Sequence, residues 1–165
     1  SMYDAAVLLG ETLREVVQRD GSGPMQGGID FGCSFILGGQ IHGEEPRLFN
    51  IYPQGNFIEA TPDTPYFQIG ESKYGKPIID RVIRYDTPLL EAAKCALISF
   101  DSTIKSNLSV GLPIDLMIYQ RDTLVAGLQQ RIGEQDEYFQ MIRKAWGEGL
   151  RQAFAALPPD RKSVV

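Results

Sequence analysis

Two short turns hold the side chains best suited to chemistry. One reads Gly70-Glu71-Ser72-Lys73, the other Ser106-Asn107-Leu108-Ser109-Val110-Gly111. Both offer hydroxyls, and the first adds a carboxylate and an ammonium group. A hydroxyl is a weak nucleophile until a neighbouring base takes its proton. The single histidine, His42, lies in a turn, His42-Gly43-Glu44-Glu45-Pro46, with no Ser or Cys signature beside it, and reads as a solvated loop residue. The sequence thus offers no nucleophile–base pair of the Ser–His kind. Each turn also has a bland reading. Glu71 and Lys73 would be charges on a solvated turn. Asn107 would end a helix in the left-handed conformation, with Ser109 bonding the backbone.

Other reactive types carry less. Cys33 and Cys95 sit in apolar stretches (F-G-C-S-F-I-L and A-A-K-C-A-L-I) and read as small core residues in a reducing cytoplasm. With one histidine there is little material for a His/Cys metal site. Gly38-Gly39 is not followed by the G-K-[ST] of a phosphate loop. Glu44, Glu45, Glu134, Asp136 and Glu137 read as solvated charges, and Trp146 as a packing or subunit-contact residue. The 165 residues are 43% hydrophobic and 22% charged, with a net charge of -5. This is the composition of one soluble globular domain. Lys and Arg are scattered, which argues against nucleic acid as a partner. No apolar run approaches the roughly 20 residues of a membrane span, and no secretory leader is visible.

Periodicity supplies the elements that must position the turns. Residues 2–19 have Val7, Leu8, Leu13, Val16 and Val17 near helical spacing, with Asp4 toward the start and Arg19 toward the end. Residues 20–24 (D-G-S-G-P) end that helix. Strands are expected over 31–41, 47–52, 57–60 and 66–69, with Pro53-Gln54-Gly55-Asn56 turning the second into the third. Pro77 marks a helix running to about Arg84. Asp86 or Thr87 should cap a long helix over 89–105, with Ala92, Ala93, Ala96, Leu97, Phe100 and Ile104 on its apolar face. Strands at 113–119 and 123–128 and a helix over 134–157 complete the order. Residues 1–157 form one unit and 158–165 a tail. Periodicity alone stops at α+β.

The stretch Y-F-Q-I-G-E-S-K-Y-G-K-P-I-I-D-R, a helix, and then S-N-L-S-V-G-L-P-I-D-L-M-I-Y resemble the second half of a proteasome-type β-subunit, in particular the bacterial ancestral β-subunit branch (Anbu). The resemblance implies the four-layer α-β-β-α sandwich of the N-terminal-nucleophile hydrolases, here lacking its first strands. It also implies peptide-bond hydrolysis by an N-terminal Thr, Ser or Cys, whose own amine is the base. That nucleophile and its Asp and Lys partners would lie outside this chain. Proteasome-type subunits carry a Ser-Gly-Ser-like turn after the Gly at position 70, and its serine supports the amine. Here Glu71-Ser72-Lys73 replaces that trio, so Ser72 or Glu71 is the candidate. At the second turn the family has Asp, two residues, then Ser and Gly. Ser109 matches the Ser, Ser106 stands at the Asp position, and Asp101 lies too far back in the helix to replace it. Ser1 precedes a helix and reads as a helix cap, a tag remnant or a truncation point.

The resemblance further implies self-association into a proteasome-like oligomer, a peptide or unfolded-protein substrate, a cytoplasmic location, and no metal or organic cofactor. Two alternatives stand beside the peptidase. One is a non-catalytic assembly subunit of the same fold, which Ser106 in place of Asp favours. The other is an unrelated small α+β binding protein.

Overall fold

The computed structural model describes residues 1–21 and 32–160. Its first element is helix α1 (Met2–Gly21), which turns Ala6, Gly10 and Leu13 inward at alternating steps of four and three. That stripe lies on strand β2 (Arg47–Ile51), the centre of an antiparallel sheet between β1 (Phe35–Gly39) and β3 (Phe57–Glu59). Phe49 and Ile51 are fully buried against the helix. The β2–β3 turn docks on the same helix. Gly55 has φ +80°, and a Cβ there would lie 2.3 Å from the Gly10 carbonyl oxygen. A Cβ on Gly10 would in turn come within 2.1 Å of the Gly55 carbonyl oxygen. Neither position has room for a side chain, and Gly55 also needs the left-handed backbone.

A second core lies around a two-stranded antiparallel sheet, β4 (Ile114–Met117) and β5 (Gln129–Ile132). Ile114 and Ile132 are paired in register and face Leu97 and Ile98 of α3 (Leu89–Ser106) and Phe139 and Ile142 of α4 (Glu137–Ala155). Trp146 packs on this cluster from α4. The short helix α2 (Lys76–Val82), with Pro77 in its first turn, leans on α3. The layers are helix, sheet, sheet, helix, and the cleft between the sheets is lined by Ile36, Leu48, Met117 and Tyr119. This is the α+β architecture expected from the α-β-β-α resemblance.

Asp101 is 1% exposed in α3. Its Oδ1 accepts from Arg143 Nε at 2.5 Å and its Oδ2 from Lys105 Nζ at 2.7 Å. Both carboxylate oxygens are therefore satisfied by cations, as a buried charge requires. The pair ties α3 to α4.

Several sequence expectations change. Residues 66–69 are not a strand and form no ladder with any described strand. Residues 123–128 are a loop, and the second strand of the pair starts at Gln129. Asp122 and Leu124 adopt positive φ (66° and 52°), which breaks an extended run. Thr87 does not cap α3. Its hydroxyl instead accepts from the Arg84 backbone N–H at 2.8 Å, closing the preceding turn, and Pro88 occupies the N-cap. The last helix starts later than residue 134 because Asp136 caps it, accepting from Phe139 N at 2.7 Å. Cys33 is exposed, ahead of a strand that begins only at Phe35. Phe100 is exposed too, because α3 buries a face centred on Cys95, Ile98 and Asp101. The expected helix stop at 22–24, the strand start at 31 and the tail beyond 160 lie outside the described residues.

Candidate functional site

The two turns singled out in the sequence meet. Gly70 has φ +77°, a left-handed turn of the chain ahead of α2. Glu71 Oε1 then accepts from the Lys73 backbone N–H at 3.0 Å, which fixes the carboxylate inside its own turn. Its other oxygen, Oε2, accepts from Asn107 Nδ2 at 3.0 Å, 36 residues away.

Asn107 is the C-cap of α3 and is extended (φ -137°, ψ 112°), not left-handed as the sequence suggested. Its N–H still closes the helix by donating to Thr103 O at 2.8 Å. The extended backbone frees its side chain to point forward. Asn107 Oδ1 accepts from Ser109 N at 2.9 Å and from Ser109 Oγ at 2.6 Å. This is an Asx turn with the serine hydroxyl added. Ser109 therefore bonds a side chain, not the backbone.

The chemistry of the donors fixes the direction of every bond. A carboxylate only accepts, so Asn107 must turn its NH₂ toward Glu71. A backbone N–H only donates, so Oδ1 must face Ser109 N. Oδ1 then has no proton to give, and the Ser109 hydroxyl must donate to it. Ser109 is exposed, and having donated its proton its oxygen can only accept further bonds.

The other two candidates are not drawn in. Ser106 is exposed on the last turn of α3, and its hydroxyl has no hydrogen-bond partner among the described residues. Ser72 lines a cavity of about 610 Å³ with Tyr66, Gln68, Lys76 and Asp80. Sequence reasoning treated Asn107 as a helix end only. The available signal was its position two residues before Ser109, the spacing of an Asx turn.

Tyr66, Lys76 and Asp80 form a second polar cluster beside Ser72. The Tyr66 hydroxyl donates to Asp80, and Lys76 Nζ lies 2.9 Å from both Asp80 oxygens and 3.3 Å from the Tyr66 oxygen. Burial raises the Tyr66 phenol above its ordinary value, and the bond to Asp80 adds to that while Lys76 opposes it. The Tyr66 hydrogen bond, then Lys76, lowers the Asp80 carboxyl. Asp80, then Tyr66, raises Lys76. At neutral pH the cluster is a neutral phenol between a carboxylate and an ammonium. It holds no free base and acts as a clamp between the 66–69 segment and α2.

Among the described residues, the remaining groups offer no catalytic pair. Ser1 has its ammonium group 2.9 Å from Asp4 Oδ2, and its hydroxyl accepts from the Asp4 N–H at 3.2 Å, as a cap of α1 does. His42 is exposed in the β1–β2 turn. Burial pushes the Cys95 thiol up, away from the nucleophilic thiolate. Among the described residues, no group of three or more His, Cys, Asp or Glu is placed to hold a metal ion. No helix among them is long and apolar enough to cross a membrane.

The family described as proteasome subunit matches residues 8–118. No curated protein matches. Among solved structures, Anbu (ancestral beta-subunit) from Yersinia bercovieri is 67% identical, with a TM-score of 0.89, over 96% of this chain and 65% of its own. A structure described as the helical assembly of the Anbu complex from Pseudomonas aeruginosa is 55% identical, with a TM-score of 0.94, over 100% of this chain and 68% of its own. An Anbu (Gly-1) mutant from Hyphomicrobium sp. strain MC1 is 57% identical, with a TM-score of 0.88, over 96% of this chain and 65% of its own. The chain thus spans about 65% of the length of the Yersinia relative. A family match across most of its residues, and a relative 55% identical along its whole length, place this chain in the proteasome subunit family, in the Anbu branch.

Proposed function

We propose that this chain is the C-terminal part of a proteasome-like subunit that hydrolyses peptide bonds with an N-terminal Thr, Ser or Cys. The observation that carries the reading is the junction of Glu71, Asn107 and Ser109. It leaves an exposed hydroxyl oxygen as a fixed acceptor, where the family supports the N-terminal amine. A nucleophile with its own amine, and the Asp and Lys that assist it, complete the site from residues outside these 165. The substrate class is peptide or unfolded protein. Self-association belongs to the same proposal, since the Pseudomonas aeruginosa relative is described in a helical assembly.

The second reading is a non-catalytic assembly subunit. Ser106, unpartnered among the described residues at the family's Asp position, favours it.

The test is covalent labelling of the complete protein with a peptide vinyl sulfone, alongside turnover of peptide–fluorophore substrates. The peptidase reading expects one adduct, mapped by mass spectrometry to the N-terminal residue. Ser109→Ala should slow labelling by about 10-fold or more, the scale of one charge-assisted hydrogen bond. Protein that assembles normally but takes no label and cleaves no substrate would establish the assembly subunit instead.

A further inference from the structure

The geometry points to Asn107 and Glu71 as positioning residues that set the polarity of the Ser109 hydroxyl for the N-terminal amine. The inference rests on the peptidase reading and adds what that reading leaves open: how the site works with Ser106 where its family carries Asp.

A serine hydroxyl can donate or accept, and for a basic amine the difference is decisive. An amine acts as a base only through its lone pair. If Ser109 donated its proton to that lone pair, the base would be occupied. If Ser109 accepts an N–H from the amine, the lone pair stays free and the nitrogen is held in place. The hydroxyl must therefore find another acceptor for its proton.

Asn107 Oδ1 is that acceptor, at 2.6 Å. The amide alone would not guarantee this. A side-chain amide can flip and present NH₂ to Ser109, and the hydroxyl would then be forced to accept from it. Glu71 and the Ser109 N–H together remove the choice. Glu71 Oε2 takes Asn107 Nδ2 at 3.0 Å, and its Oε1 is already held by the Lys73 N–H at 3.0 Å. The Ser109 N–H, 2.9 Å from Oδ1, locks the amide from the other side. The carboxylate thus stands on the first turn, and its influence reaches the serine through a neutral amide. This arrangement also keeps the negative charge of Glu71 two residues removed from the amine, behind Ser109 and Asn107. A carboxylate in direct contact would favour the protonated amine over the free base.

The experiment exchanges the two groups in the complete protein and reads covalent labelling by a peptide vinyl sulfone. Asn107→Asp sets two carboxylates against each other and removes the donor to Glu71 Oε2. Labelling should slow by about 10-fold or more, in the maximal rate and not in the half-saturating probe concentration. Adding Glu71→Gln to Asn107→Asp rebuilds the chain with its ends exchanged. The new amide at position 71 can donate to the new carboxylate at position 107, which still accepts from Ser109. The double variant should recover to within about 3-fold of the unaltered protein, a coupling that two independent effects would not give. Asn107→Ala should add nothing to the loss caused by Ser109→Ala. Melting temperatures select the variants that remain folded, and the double variant supplies the reading if either single change unfolds the protein. A double variant that melts normally and labels no faster than Asn107→Asp would overturn the inference. So would Asn107→Ala labelling at the unaltered rate while Ser109→Ala is slow, and in either case the peptidase reading would stand. Unaltered protein that takes no label would remove that reading and this inference with it.

Discussion

Gln40 and Asp122 grip each other twice across the two sheets. Gln40 Nε2 donates to Asp122 Oδ1 at 2.6 Å, and the Asp122 N–H donates to Gln40 Oε1 at 2.8 Å. The amide is fully used, because Tyr119 also donates to Oε1 at 2.6 Å and Nε2 reaches the Glu44 carbonyl at 2.8 Å. One side chain at the end of β1 therefore fixes the loop that follows β4. It also accounts for the positive φ of Asp122, since the turn must present both its N–H and its carboxylate to the same amide.

Replacing Gln40 with Ala should destabilise the fold by about 1–3 kcal/mol, because every bond made by that amide is lost in a partly buried place. Gln40→Glu should be worse at low salt, since it faces Asp122 with a second carboxylate, and added salt should narrow the gap between the two variants. Urea unfolding at two ionic strengths measures both effects.

The contact of Gly55 with Gly10 predicts intolerance to a single methyl group. Gly55→Ala meets both a left-handed backbone and a carbonyl oxygen at 2.3 Å. A loss of about 2–4 kcal/mol is expected from strain and overpacking together. Gly43 has the same φ of +80° with open space around it, so Gly43→Ala should lose only the backbone part, about 1 kcal/mol. Comparing the two melts separates the contributions.

The Tyr66–Lys76–Asp80 cluster sets a pH window. The Asp80 carboxyl is lowered in the fold, so its contribution is present above the ordinary carboxylate range and is lost as pH falls through the lowered value. Lys76 and Tyr66 are raised, so their contributions hold below their ordinary values and are lost as pH rises through the raised ones. Asp80→Asn should therefore melt below the unaltered protein at neutral pH. The difference should close in acid. A pH series of thermal melts, with Asp80→Asn beside the unaltered chain, reads both limbs.

The 165-residue chain by itself should associate. Leu108, Phe154 and Leu90 are 104%, 77% and 70% exposed, and β1 and β3 leave open sheet edges among the described residues. Light scattering should give a mass above the 18.3 kDa of one chain. A monodisperse 18.3 kDa species with a cooperative melt would contradict this.

Local signals survived wherever one element settled its own fate. Leu13, Val16 and Val17, with Asp4 and Arg19 at the ends, were enough for α1, and Pro53 to Gly55 were enough for the β2–β3 turn. The sequence T-L-V-A-G-L at 123–128 looked like a strand because its residues favour one, yet Gln40, some 80 positions earlier, holds the neighbouring Asp122 in a turn. Residues 66–69 make no ladder despite their apolar run, an outcome that depends on which strands lie beside them and not on periodicity. At the candidate site Glu71 and Ser109 were legible singly, from the resemblance of their turns. Asn107 was not, because its role arises only when two segments 36 residues apart meet. Family membership leaves no place for the unrelated small binding protein.

Asp101 and Arg143 are 42 positions apart, and that gap has a consequence for a chain made from its N-terminus. When α3 leaves the ribosome, Asp101 has Lys105 and water but not yet Arg143. Sealing that face of α3 before α4 exists would strand a half-matched charge. Arrival of α4 then supplies both the apolar cover and the missing cation in one docking event. A chain truncated before α4 would lose the apolar cover of this core and one of the two cations of Asp101 together.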